Sequence, residues 1–174
     1  MSQLKLGLVG KGQSGKSFVA TELRDKHGFD KMSLQDPAKS IARRLWVYGK
    51  GQRVSWERRY RIYDAMYKID SDVWVRYLLN RIPKTPRNIV VDDIRYVNEL
   101  QMLRESGFII IRVTRPEDGR KRHIKLMDAA PGTLVLQEWF NKDFTSLIRA
   151  DYTIDNYSRN GTKESIAKLV EKLT

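Results

Sequence analysis

The stretch GKGQSGKS, Gly10 to Ser17, decides how the rest of the chain is read. It meets the pattern G-x-x-x-x-G-K-[ST] at Gly10, Gly15, Lys16 and Ser17, between segments of opposite periodicity. Before it, Leu4, Leu6 and Leu8 alternate with Lys5, Gly7 and Val9, the pattern of a buried strand. After it a helix is predicted to run to about Lys26, with Gly28 as its stop. Glycines in such a turn let backbone N–H groups point inward as a nest for phosphate oxygens, and the helix N-terminus adds its dipole. Gly10, Gly12, Gln13, Ser14 and Gly15 are therefore expected to cradle the phosphates of ATP, with Lys16 on the β- and γ-phosphates and Ser17 on Mg²⁺.

Working outward, strands alternate with helices. Short strands are predicted at 29–34, 88–92 (NIVVD), 108–114 (FIIIRVT) and 151–156 (DYTIDN). Helices are predicted at 37–46, 55–67, 71–82, from Val97 to before Gly107, at 136–148 and from Thr162 onward. In DPAKSIARRLW, Asp36 is a candidate N-cap ahead of Pro37 at the first helical position. Ala38, Ile41, Ala42, Leu45 and Trp46 then share one face, which is expected to point inward. Alternation of this kind implies a parallel sheet covered by helices on both faces.

Composition narrows the function less than the motif does. The 174 residues suit one domain, and the absence of cysteine excludes disulfides and thiolate metal sites, which fits a reducing cytoplasm. The longest aliphatic and aromatic run, FIII, is too short to span a bilayer, so no membrane partner is expected. The formal net charge of +12 implies anionic partners. Its two clusters, Lys39 to Arg61 and Arg112 to Lys125, are interleaved with apolar residues rather than forming a tail. Phosphorylated small molecules and nucleic acids both explain such clusters.

The second diagnostic block is VVDDIRYVNELQMLRESGFIIIRVTRP, residues 90 to 116. It resembles the signature of phage-type deoxynucleoside monophosphate kinases: Asp-x-Arg after a strand, an aromatic, Asn-Glu, then Gly before an aliphatic strand ending Arg-x-x-Arg-Pro. Asp93, Arg95, Asn98, Glu99, Gly107, Arg112, Arg115 and Pro116 stand at those positions. SLQDPAK (33–39) and DYTIDNYSRNGTKESI (151–166) are similar to further segments of that family. Two positions depart from it: Ser17 replaces the commoner Asp or Thr, and LQEW (136–139) keeps only the glutamate of the family's lid sequence. Phosphomevalonate kinases of the animal type share the loop, the Pro-x-Lys segment and a related Asp-x-Arg block.

The resemblance implies a nucleoside-monophosphate-kinase-like three-layer α/β/α domain with about five parallel strands. Its core would comprise 1–36, 85–115 and 149–174, with an acceptor-binding helical insertion at 37–84 and a lid at 116–148. It implies ATP and Mg²⁺ as cofactors and a nucleotide as small-molecule substrate, in a host cytoplasm if the source is viral. Lys39, Arg43 or Arg95 would grip the acceptor phosphate, since arginine can donate two parallel hydrogen bonds to an oxygen pair. Arg115, Arg120 and Arg122 would close over the triphosphate, and Glu138 would sit in the lid beside the acceptor.

Several readings stay open at this level. Either Asp92 or Asp93 serves the metal, while the other caps the following helix. Asp36 is a cap, or it faces the crevice and orients the acceptor or a metal-bound water. Trp74 is a base-stacking residue or a core residue, and Glu99 is placed at the acceptor by the resemblance alone. Rival functions are a phosphomevalonate or dephospho-coenzyme A kinase and a nucleic-acid-directed ATPase or polynucleotide kinase. Oligomeric state, a homodimer included, is not specified by the sequence.

Overall fold

Leu6, Leu8 and Val9 are fully buried on the first strand, β1 (Lys5–Val9), and the chain is built around it. The computed structural model describes residues 3–46, 54–119 and 149–174. After β1 come α1 (Lys16–His27), β2 (Asp30–Met32), α2 (Asp36–Trp46), α3 (Trp56–Ile69) and α4 (Val73–Asn80). Then follow β3 (Ile89–Val91), α5 (Val97–Glu105), β4 (Ile109–Thr114), β5 (Tyr152–Asp155) and α6 (Arg159–Leu173). The sheet has five strands in the order β2-β3-β1-β4-β5, and every neighbouring pair is parallel.

Strand alternation sends side chains to two separate helical layers. Leu6, Leu8, Val90, Ile111, Val113 and Ile154 pack with Val19, Ala20 and Leu23 of α1 and Ile166 and Leu169 of α6. Val9, Ile89, Val91 and Ile110 face the other way, onto Tyr63, Trp74, Val75, Leu78, Leu100 and Leu103 of α3, α4 and α5. Burial on both faces explains why these strands read as nearly continuous apolar runs. No helix among the described residues is long and apolar enough to cross a membrane.

Three local expectations are corrected. The second helix begins at Asp36 itself, because the amide of Lys39 bonds the carbonyl of Gln35 (2.9 Å), which takes the cap position. Only Ala38 and Ala42 of the predicted inward face are buried, whereas Ile41, Leu45 and Trp46 are exposed. The last helix starts at Arg159 rather than Thr162, since the Ser158 hydroxyl accepts from the amide of Gly161 (3.1 Å) and caps it.

Candidate active site

The carboxyl ends of the parallel strands share one edge, the usual place for a ligand crevice in such sheets. There the loop after β1 turns into α1 through two left-handed glycines, Gly10 (φ 137°) and Gly15 (φ 100°). A side chain at Gly10 would strike the carbonyl of Val113, and one at Gly15 would strike the amide of Asn156. Asn156 follows β5 and is tied to the loop, its side-chain amide donating to the carbonyl of Ser14 (2.9 Å). Its own oxygen accepts from the hydroxyl of Thr162 on α6 (3.0 Å). Ser14 is buried within the loop, and the Lys16 ammonium donates to the carbonyls of Gly10 (2.6 Å) and Lys11 (3.0 Å).

This loop opens onto a cleft of about 510 Å³. Of the residues expected from sequence, Gly12, Gln13, Gly15, Lys16, Ser17, Asp36, Lys39, Asp92, Asp93 and Arg95 all line it. Arg24, Lys31, Ser33, Gln35 and Arg59 line it too, and sequence reasoning missed them. Six cationic side chains thus meet three carboxylates, a balance suited to a polyanion.

The two aspartates after β3 have different tasks. Asp93 ties down the turn between β2 and α2: it accepts from the Leu34 amide (3.0 Å), the Ser33 hydroxyl (2.6 Å) and the Gln35 amide (3.0 Å). Burial, then the charge of Asp92, pushes its carboxyl above the usual range, against the pull of those three donors. Asp92 lies instead beside Lys31, whose ammonium is 2.7 Å from its carboxylate.

Arg95 is held between the cleft and the core. Burial lowers its guanidinium to about 10, despite the raising influence of Asp93, Tyr63 and Glu99, so it stays charged at neutral pH. Arg59 is lowered as well, by burial and then by the charge of Arg43. Arg43 itself does not line the cleft but stands exposed on α2. Asp36 has its carboxylate 62% exposed and 3.9 Å from the Lys39 ammonium, so it faces the cleft and caps nothing.

Two side chains expected at the acceptor are instead engaged within the core. Trp74 is only 3% exposed, stacked on Tyr63 (5.3 Å between centroids) with its indole N–H donating to the Tyr63 carbonyl (3.1 Å). Glu99 is fully buried, and its two oxygens accept from the Tyr63 hydroxyl and from the amides of Arg95 (2.9 Å) and Tyr96 (3.1 Å). It therefore latches α3 to the segment carrying Arg95 and offers nothing to a ligand. Arg115 follows β4 with its side chain close to Gly119 and does not line the cleft. Arg120, Arg122, Glu138 and nearly all of the 116–148 segment lie outside the described residues.

The latch has a titration signature. Burial raises the Glu99 carboxyl from 4.5 to about 7, although the Tyr63, Arg95 and Tyr96 donors pull it down. A raised folded-state pKa means stability is fully present below about 4.5 and is lost as pH rises through about 7. Relative to Glu99→Gln, the protein is expected to lose on the order of 3 kcal/mol across that interval and to change little above it. Urea unfolding of both proteins from pH 4.5 to 8 checks this, and parallel curves would contradict it.

A divalent cation fits the cleft by its donor set. Ser17 and Asp92 line it and would offer hard oxygen ligands, and among the described residues no cluster of three or more His, Asp or Glu side chains forms a complete protein cage. Mg²⁺ is typically held this way, by one or two protein oxygens together with substrate phosphates.

Known proteins are similar to this chain in sequence or in fold. A protein of Acanthamoeba polyphaga mimivirus, provisionally described as a deoxynucleotide monophosphate kinase, is 25% identical over 64% of this chain and 74% of its own. Shikimate kinase from Acinetobacter baumannii, solved with shikimate, superposes with a TM-score of 0.60 at 14% identity, covering 98% of this chain and 93% of that one. The APS kinase CysC of Mycobacterium tuberculosis, solved with AMPPNP and APS, gives 0.57 at 13% identity over 99% and 98%. The chain has the P-loop kinase fold. No family model matches it.

Proposed function

We propose that the protein transfers the γ-phosphoryl group of ATP to the phosphate of a deoxynucleoside or ribonucleoside monophosphate, giving the diphosphate and ADP. The carrying observation is the cleft itself. Its loop side presents Lys16 and Ser17, and facing walls from α2, α3 and the segment after β3 present Lys39, Arg59 and Arg95. Two anion-binding sets share one cavity, as a donor and an acceptor phosphate require. The mimivirus relative supports the choice of a nucleotide acceptor.

In this reading Lys39, Arg59 and Arg95 neutralise and orient the acceptor phosphate while Lys16 stabilises charge on the transferring group. An acceptor oxygen attacks the γ-phosphorus in line as the bond to the ADP oxygen breaks. The acceptor is largely ionised near neutral pH, its second pKa being about 6, so no strong base is needed. Bound Mg²⁺, held by Ser17 and Asp92, would neutralise charge on the phosphates. Arg115, Arg120, Arg122 and Glu138 remain lid residues in this proposal, and a lid at 116–148 would limit ATP hydrolysis by excluding water.

An ADP-release screen with ATP and Mg²⁺ tests it. The panel holds deoxynucleoside and ribonucleoside monophosphates, phosphomevalonate, dephospho-coenzyme A and 5′-hydroxyl oligonucleotides. Turnover is expected with one or more nucleoside monophosphates. Phosphorylation of the oligonucleotides or of a non-nucleotide metabolite alone would overturn the proposal.

A further inference from the structure

We infer that Lys31 competes with the divalent cation for Asp92, so that the protein takes up its metal together with the nucleotide and only weakly without it. The inference rests on the proposed metal site but needs neither turnover nor a particular acceptor.

Lys31 lies on the edge strand β2 in register with Val90 of β3. Val90 packs into the α1 layer, so Lys31 and Asp92 emerge on the same face of the sheet as the helix that begins with Lys16 and Ser17. The ammonium and carboxylate are 2.7 Å apart, with side-chain exposures of only 25% and 7%. A pair this shielded is screened far less than a surface pair, and removing the cation would strand a buried carboxylate. Asp93 offers no alternative, because its oxygens are committed to the turn after β2.

An ammonium and a hydrated Mg²⁺ both seek carboxylate oxygen, and Mg²⁺ dehydrates reluctantly. Mg²⁺ alone must therefore displace Lys31 with no phosphate to complete its coordination. Mg²⁺ arriving with a triphosphate brings that coordination, and it also brings phosphate oxygens that the released ammonium can bond. Lys31 lines the main cleft of about 510 Å³ as well as pairing with Asp92. Its head group thus has room to move without a shift of β2.

The test is Mn²⁺ binding to the full-length protein without nucleotide, followed by electron paramagnetic resonance. Lys31→Met, which keeps the stem and removes the charge, is expected to bind Mn²⁺ at least about tenfold more tightly than wild type. Its thermal midpoint should fall in metal-free buffer and recover with Mg²⁺, while the wild-type midpoint moves little. Lys31→Arg keeps a cation and should bind Mn²⁺ as weakly as wild type. Adding Asp92→Asn to Lys31→Met should remove the gain. Equal Mn²⁺ affinity in wild type and Lys31→Met overturns the inference, as does a double variant that binds as tightly as Lys31→Met. If Lys31→Met does not fold, Lys31→Gln is judged by the same two outcomes. Failure of every nucleotide in the acceptor screen would leave these outcomes unchanged, so the two proposals fail separately.

Discussion

Lys16→Ala is expected to lower kcat for phosphoryl transfer by about 10²–10³-fold, the loss typical of removing one preorganised donor from developing charge. Its ammonium is already poised, bonded to two carbonyls of the loop it serves. Those bonds are a modest part of stability, so the unfolding free energy should change by no more than about 1 kcal/mol. Lys16→Arg should retain most of the catalytic defect, because a planar fork does not replace a compact ammonium inside a glycine nest. Single-turnover rates with each variant, read beside their thermal midpoints, separate chemistry from folding. A Lys16→Ala protein with near-wild-type kcat would remove the loop from the mechanism.

Trp74→Ala is expected to destabilise the protein by about 3–5 kcal/mol, the range for emptying a buried aromatic site. The ring is shielded, stacked on Tyr63 and hydrogen-bonded to its carbonyl, and α4 rests on the core through it. Trp74→Phe keeps the stack but not the N–H, and should cost less, since the Tyr63 carbonyl lies inside α3 and loses only this additional donor. Because the ring does not line the cleft, KM for the acceptor should be nearly unchanged in Trp74→Phe. Urea titration and steady-state kinetics measure the two effects. A large rise in acceptor KM at wild-type stability would restore the base-stacking role.

What could be read in the sequence was whatever is written locally. The alternation around Leu6 and Leu8, the glycine loop and the aliphatic runs of β3 and β4 are patterns within a few residues, and the fold follows from them. Lys31 was invisible because a lysine in a three-residue strand carries no pattern, and the carboxylate that gives it meaning is 61 positions away. Glu99 was legible as a position but not as a role: the hydroxyl of Tyr63, 36 residues earlier, turns it from a ligand contact into a latch. Trp74 showed helical spacing that serves a core and a binding wall equally, and only packing distinguishes them. Asp36 was displaced from its cap by Gln35, a difference of one residue that propensity does not resolve.

The amide of Asn156 gives the loop a dependence on distant chain. It supports the Ser14 carbonyl across 142 residues, and the same side chain is anchored by Thr162 at the start of α6. Local sequence can bend Gly10 to Ser17, but it cannot hold the bend against a carbonyl that lacks its donor. During synthesis, β1 and α1 emerge well before β5 and α6, and contacts of such separation close late. A nascent chain stopped before Asn156 would therefore carry the motif intact without the shaped cradle, and ATP affinity would be acquired only once β5 and the start of α6 are in place.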